Sequence, residues 1–379
     1  MEKRVFRHTG DEISLLGFGC MRFPKLSENK NDIDEFKARA MLDHAFANGV
    51  NYFDTAYTYH DGLSEAFIGG ALAKYPRDSY KLATKMPIWL LEKESDAGRY
   101  FETQLKRCGV DYFDFYLVHA VSSSRVELLE KIKLYYYLHM EKERGRIRSL
   151  GFSFHDETGV LNDVLSKYEW DFAQIQLNYL DWEVQNAKGA YEILRKNEVP
   201  VVVMEPVHGG TLADLPQSAM DILSEAEPNA SAASWAMRFA AGLPGVMTVL
   251  SGMTTMEQVK DNLKTFTSFK PLSEKELGLL ERARLEYLKA GVIPCTGCYY
   301  CMECPCGVNI PNNFAAYNQF RMNGNEIYME IAYRALGRDK QARNCSACGK
   351  CVPLCPQAID IPEELKKIAA AVDKIMEDD

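Results

Sequence analysis

The sequence predicts an α/β chain in which eight strand–helix units close a (β/α)8 TIM barrel, followed by a small cysteine-rich module of α+β or helical character. Three observations carry this. Eight short apolar runs rich in β-formers recur up to residue 252. Amphipathic stretches with helical spacing separate most of them, the alternation expected of parallel βαβ units. After that alternation ends, nine of the 11 cysteines fall between Cys295 and Cys355. Eight units in about 250 residues match the size of such a barrel. The rival, a doubly wound open sheet, lacks its G-x-G-x-x-G after the first strand.

The strands are expected at SLLGFG (14–19), VNYFDT (50–55), YKLATK (80–85), FDFYLVH (113–119), IRSLGFS (147–153), DFAQIQL (171–177), VPVVVME (199–205) and GVMTVLSG (245–252). Helices are expected at 34–49 and 187–200, stopping at Asn48-Gly49 and Asn197. Beyond the last strand, 253–266 and 273–291 read as helices, and 362–379 as a terminal amphipathic helix. The predicted organisation is a barrel over 1–268, a helical linker over 269–291 and a cysteine module over 292–379.

The bulk numbers narrow the function. A chain of 379 residues exceeds one small core. With 47% hydrophobic and 26% charged residues, the composition is that of an ordinary globular protein. A net charge of −9 without a basic stripe argues against nucleic acid as a partner. The first residues, MEKRVFRHTGDEIS, lack the apolar core of a secretory signal. No apolar run approaches the roughly 20 residues of a membrane helix. A cytoplasmic location away from membranes is therefore expected. Structural disulfides are rare in a reducing compartment, so the clustered cysteines point to a metal or cluster site.

Catalytic groups of a barrel belong at the C-terminal strand ends. Asp54 ends the second strand, Lys85 the third and His119 the fourth, and Tyr59 follows Asp54 by five residues. Together these four can move a proton to a carbonyl oxygen. A free Tyr has a pKa of about 10, and a nearby ammonium is expected to lower it. Asp54 pairs with Lys85, and His119 orients the substrate oxygen. Cys20 and Cys108 read as buried structural residues. Single histidines carry little information, and His155 and His208 read as loop residues.

The run Asp54-Thr55-Ala56-Tyr57-Thr58-Tyr59, the following Gly62-Leu63-Ser64-Glu65, the T-K of Lys85 and the L-V-H of His119 resemble the aldo/keto reductase family. The resemblance covers about 1–268. It implies a barrel that binds NAD(P)H in extended form, with Tyr59 as the acid assisted by Lys85, Asp54 and His119. Hydride would pass to a small-molecule aldehyde or ketone. It further implies nicotinamide contacts at Ser153, Gln174 and Met204, and an adenine-phosphate loop at Ser251, Gly252, Thr254, Gln258 and Asn262. Phe154 stands where the family usually has Asn, and Met204 where it has an aromatic. The Lys and Arg commonly used for a 2′-phosphate are absent, with Gln at 258, so NADH and NADPH both stay open.

In the module, Cys345, Cys348, Cys351 and Cys355-Pro356 form C-x2-C-x2-C-x3-C-P, the spacing of bacterial ferredoxins. Three thiolates in seven residues do not suit structural zinc, which takes two separated pairs. Cys295, Cys298, Cys301 and Cys304-Pro305 repeat the pattern with the last gap one residue shorter, and Cys306 is an extra thiol. This resembles the ferredoxin domain fused to some aldo/keto reductases. The resemblance implies two [4Fe–4S] clusters, one on Cys295, Cys298, Cys301 and Cys355, the other on Cys345, Cys348, Cys351 and Cys304, with Cys306 as the alternative to Cys304. A cluster moves one electron and a nicotinamide moves two. The clusters therefore serve as a folding staple or connect to a flavin or an external redox partner. No independent flavin motif is present. Two readings stand: an NAD(P)H-dependent carbonyl reductase carrying two clusters, or an electron-transfer or flavin-linked protein whose barrel does not use nicotinamide in the usual way.

Overall fold

A computed structural model describes residues 1–27, 32–302 and 304–377. All eight expected strands form: β3 (Leu16–Gly19), β4 (Tyr52–Asp54), β5 (Lys81–Met86), β6 (Phe113–Val121), β7 (Ile147–Phe154), β8 (Phe172–Gln176), β9 (Val201–Met204) and β10 (Val246–Gly252). They pair in parallel in chain order, and β10 closes on β3 through Val249 opposite Leu16 and Gly252 opposite Gly19. Every residue of β4, β5 and β6 is buried, as expected for strands covered on both faces.

A short hairpin precedes the barrel, β1 (Lys3–Phe6) with β2 (Asp11–Ser14). Its Phe6 and Ile13 join a core cluster with Tyr52, Phe115, Phe172, Val202 and Met247. Phe6 and Phe115 have centroids 5.2 Å apart. The hairpin thus packs on residues at or near the strand starts and leaves the opposite ends for chemistry. Its two four-residue strands carry no periodicity that sequence reading can detect.

The chain divides into two compact units at places other than the expected boundaries: Met1–Pro206 with Ala236–Leu272, and Val207–Trp235 with Ser273–Asp379. The segment after β9 and the helix Glu274–Lys289 both belong to the second unit. The reason is packing within that unit. Helix Gln217–Ser224 buries Ala219 and Leu223, helix Glu274–Lys289 buries Leu279, Leu280, Ala283 and Tyr287, and Arg282 links them by binding Glu225 at 3.0 and 3.2 Å. Gly209, at φ +69°, approaches Thr296 so closely that a Cβ would lie 2.1 Å from its carbonyl oxygen.

The rest of the second unit consists of the helices Ile310–Asn323, Glu326–Ala335 and Ile361–Glu377 and short turns, with no named strand among the described residues. Its core holds Ile293, Val308, Phe314, Met329, Tyr333, Ile361, Leu365 and Ile368, with several cysteines packed against it. The terminal helix begins one residue before its expected start, and Asp378 and Asp379 lie outside the described residues.

Candidate active site and cysteine cavities

The structure brings Asp54, Tyr59, Lys85 and His119 together at the C-terminal strand ends. Asp54 is the last residue of β4, and Tyr59 opens the turn Tyr59–Gly62 that follows. Lys85 is fully buried, and its Nζ donates to Asp54 Oδ1 at 2.5 Å, Thr55 O at 2.8 Å and Tyr59 Oη at 3.3 Å. The same ammonium lies 4.9 Å from the Tyr59 ring centroid. The His119 ring stands edge-on to Tyr59 with centroids 6.2 Å apart.

Burial dominates the electrostatics. It raises the Asp54 carboxyl, against the opposing pull of Lys85. Burial, then the charges of Asp54 and Glu205, push the Tyr59 hydroxyl well above its ordinary value. This corrects the expectation that Lys85 lowers it: desolvating a phenolate beside a carboxylate costs more than one ammonium returns. Tyr59 therefore holds its proton at neutral pH. Burial, followed by the Lys85 charge, lowers His119 well below its ordinary value, so its ring is neutral. Asp54 Oδ2 and His119 Nδ1 have no partner among the described residues.

A buried network fixes the strand end that carries Lys85. Glu65 is fully buried and accepts from Thr84 Oγ1 at 2.7 Å, Gln104 Nε2 at 2.6 Å and Arg107 at 3.3 Å. Gln104 Nε2 also donates to Lys85 O at 3.0 Å, and Gln104 Oε1 accepts from Tyr116 Oη. Helix Glu94–Cys108 thus grips β5 from behind through Gln104.

The expected cofactor positions divide in two. Ser153 Oγ accepts from Ala120 N at 2.7 Å, which leaves its hydroxyl hydrogen to give. Gln174 Nε2 points to the Met204 sulfur at 3.5 Å, and its buried Oε1 has no partner among the described residues. A carboxamide presents one acceptor and two donors, so a donating Ser153 and an orphaned Gln174 oxygen complement a nicotinamide amide. At the other end, Ser251 accepts from Asn262 at 2.9 Å. Thr254 donates to Arg22 O at 3.0 Å, and Gln258 Oε1 accepts from Thr254 N at 2.7 Å. Gln258 also closes a capping box with Thr255. Its side chain is therefore spent on the helix N-terminus Met256–Thr267.

Sequence reasoning missed three residues. Arg22 packs its stem against Gly252 and lies 3.7 Å from Glu205, placing a cation beside the 251–262 loop. Trp89, in the turn Ile88–Leu90, has its ring 4.9 Å from His119. Arg125 lies 4.9 Å over the Trp89 ring and donates to Ala120 O at 2.6 Å. Nothing in the spacing of a lone Trp or Arg announces this.

In the second unit the thiols line two cavities. One is lined by Cys295, Cys298, Cys301 and Cys355. The other is lined by Cys301, Cys304, Cys306, Cys345, Cys348 and Cys351, so Cys301 borders both. Among the described residues no three acidic, His or Cys groups converge on a single metal ion. Thiols spread around a wall suit a body larger than one ion. The Cys301 thiol is pushed up to about 12 by burial and by Cys298, Cys295 and Cys355, and Cys351 is raised by burial and by Cys345, Cys304 and Cys348. Cys301 thus neighbours Cys298, Cys295 and Cys355, and Cys351 neighbours Cys345, Cys304 and Cys348.

An internal repeat separates Cys304 from Cys306. Cys304-Pro-Cys-Gly-Val-Asn-Ile-Pro311 parallels Cys355-Pro-Gln-Ala-Ile-Asp-Ile-Pro362. In both copies the residue three past the first Cys turns back to it: Gly307 N donates to Cys304 O at 2.9 Å, and Ala358 N to Cys355 O at 3.1 Å. A helix then begins at Ile310 and at Ile361. Cys304 takes the place of Cys355, whereas Cys306 aligns with Gln357 and hydrogen-bonds Ser346 at 3.1 Å. The repeat was present in the sequence, hidden by the one-residue difference in cysteine gaps. Cys20 and Cys108 are both buried, in the barrel unit.

Comparisons with known proteins agree with this geometry. Residues 15–284 match the model of the aldo/keto reductase family, and residues 294–359 that of a 4Fe-4S dicluster domain. The uncharacterized oxidoreductase YqkF of Bacillus subtilis is 25% identical over 314 residues, covering 74% of this chain and 96% of that protein. The NADH-specific methylglyoxal reductase of Escherichia coli is 25% identical over 308 residues, covering 69% and 93%. Among solved structures, the holo form of aldo-keto reductase AKR11C1 from Bacillus halodurans has a TM-score of 0.61 at 26% identity, covering 75% of this chain and 96% of that one.

Proposed function

The chain belongs to the aldo/keto reductase family, and from that premise we propose that it reduces a small aldehyde or ketone with NAD(P)H while carrying two [4Fe–4S] clusters. One observation carries the reading: a buried Lys85 ammonium bridges Asp54 at 2.5 Å and Tyr59 at 3.3 Å.

NAD(P)H, when bound, supplies the hydride. Ser153 would donate to the carboxamide oxygen and Gln174 Oε1 would accept from its amide hydrogens. Met204 would take the place of the aromatic on the ring, and Arg22 with Ser251, Gly252, Thr254 and Asn262 would hold the phosphate end. The neutral His119 orients the carbonyl oxygen. Tyr59 gives that oxygen its proton, so hydride plus proton convert carbonyl to alcohol. Lys85 stabilises the phenolate left behind, and Asp54 keeps Lys85 charged and in place. The relative named as an NADH-specific reductase supports a nicotinamide donor.

Cys295, Cys298, Cys301 and Cys355 are assigned to one cluster, and Cys345, Cys348, Cys351 and Cys304 to the other. Clusters ligated by thiolates fit a reducing cytoplasm. Among the described residues no helix is long and apolar enough to cross a membrane. A second reading, transfer of single electrons to a flavin or a redox partner, draws on one observation: Met204 stands where a stacking aromatic is expected.

The test is Tyr59→Phe. Carbonyl-dependent oxidation of NAD(P)H falls by about 10²- to 10⁴-fold, the range for loss of a general acid. An unchanged rate removes Tyr59 from the reaction.

A further inference from the structure

We propose that His208 and Gly209, in the turn that follows β9, are positioning residues for one cluster only: they set the loop carrying Cys295 and Cys298, and not the loop carrying Cys345 and Cys348. The inference rests on the assignment of Cys295, Cys298, Cys301 and Cys355 to one [4Fe–4S] cluster.

The turn is strained, and the strain has a direction. His208, Gly209 and Gly210 stand in succession in the left-handed region, at φ 48°, 69° and 106°. A histidine held there is uncommon and costs conformational energy that its surroundings must offset. Gly210 N and Leu212 N donate to Val207 O at 2.9 and 3.1 Å, and Thr211 Oγ1 donates to His208 O at 2.9 Å. So held, the fully buried His208 ring meets Pro294, with Nε2 3.2 Å from the carbonyl oxygen. A carbonyl only accepts, so the ring hydrogen sits on Nε2. Pro294 is the residue before Cys295. Gly209 then presses on the residue after it: a Cβ there would lie 2.1 Å from Thr296 O and 2.5 Å from Thr296 C. Two successive residues of the turn thus hold the backbone on either side of Cys295. All of them lie in the same compact unit.

The two cysteine loops have different supports. Ile293, before the first run, exchanges hydrogen bonds of 2.7 and 2.8 Å with Asn318. The neighbouring Gln319 donates to Asp214 Oδ2 at 2.6 Å, which ties the stretch after β9 to the same helix, Ile310–Asn323. The approach to the second run is held by helices of the module. Ala342 N donates to Asn313 Oδ1 at 2.9 Å, Gln341 Nε2 to Tyr333 O at 3.0 Å and Arg343 N to Tyr333 Oη at 3.3 Å. Four thiolates must reach one cluster together, so a displaced Thr296 moves the whole Cys295–Cys298 pair. Loss of such outer partners typically costs about 10- to 100-fold in metal affinity.

The experiment counts iron in the anaerobically reconstituted full chain after a chelator wash. The native chain holds about eight atoms. Gly209→Ala keeps about four, half of two cubanes. His208→Asn, which suits a left-handed φ but is too short to reach Pro294, does the same. His208→Gln, long enough to donate, recovers part of the loss. Adding Cys298→Ala to Gly209→Ala removes no further iron, whereas adding Cys348→Ala removes nearly all of it. A reciprocal readout leaves the turn unmutated: amides of 207–212 exchange with deuterium at least about tenfold faster in Cys298→Ala than in the native chain, and no faster in Cys348→Ala. Full iron in both turn variants, equal loss from both cysteine runs, or unchanged exchange in Cys298→Ala overturns the inference and leaves the two clusters in place. A native chain that takes up no iron overturns the assignment on which it rests.

Discussion

In the proposed reaction Tyr59 and His119 divide the proton chemistry by environment. Both are desolvated, which keeps the tyrosine protonated and the histidine neutral. Reductive kcat/KM is therefore expected to hold level through neutral pH and to fall only on the alkaline side of an ordinary tyrosine, about 10. A limb centred near the ordinary histidine value of about 6.5 contradicts this. His155 adds a stability term. Burial, with Arg125 and Lys85, lowers it to about 4. Above the unfolded value of about 6.5 both states are neutral; as pH falls below it, the unfolded chain takes the proton first. Stability is lost as pH drops from the unfolded value towards the folded value. His155→Gln should flatten that part of the urea-midpoint profile between pH 7 and 5. The tetrad was legible in the sequence because each member ends a recognisable strand or follows one closely. The direction of the Tyr59 shift was not, because it depends on depth of burial. Trp89 and Arg125 were not, because only folding brings their loops to His119.

Elements hold these residues in place through contacts that reach across strands. Gln104 ties helix Glu94–Cys108 to Glu65, Thr84 and the Lys85 carbonyl at 2.6, 3.2 and 3.0 Å. Gln104→Leu leaves the Glu65 carboxylate and the Tyr116 hydroxyl short of partners in the core. A loss of about 2–4 kcal/mol is expected in chemical denaturation, with a fall in kcat larger than any change in KM because Lys85 shifts. Equal stability in the variant contradicts the role given to the network. Gly69 is a second lock: a Cβ there would lie 2.3 Å from Cys108 O, so Gly69→Ala forces apart two helices and costs about 1–3 kcal/mol. All eight barrel strands were legible from apolar runs, since strands buried on both faces carry that signal plainly. The hairpin β1–β2 was too short to show. The membership of 207–235 in the cysteine unit was hidden too, because it rests on packing between segments far apart in sequence, such as Gly209 against Thr296.

The whole molecule joins an aldo/keto reductase barrel to a 4Fe-4S dicluster domain. The module's cysteine pattern was legible from spacing, and the proposal of Cys304 over Cys306 rests on the repeated turn and helix start. Chemical analysis of the reconstituted protein is expected to give about eight iron atoms per chain, two cubanes. Cys304→Ala should lose about half of that iron and Cys306→Ala almost none; the reverse outcome assigns the ligand to Cys306. What the barrel does is tested most directly by one anaerobic experiment on the iron-loaded chain. NAD(P)H is added with and without an aldehyde, and nicotinamide, alcohol and the cluster absorption are followed together. The account predicts that nicotinamide is oxidised only when the aldehyde is present, mole for mole with alcohol formed. Bleaching of the cluster absorption by NAD(P)H alone, with no alcohol formed when the aldehyde is supplied, contradicts it and makes the barrel a station for single electrons.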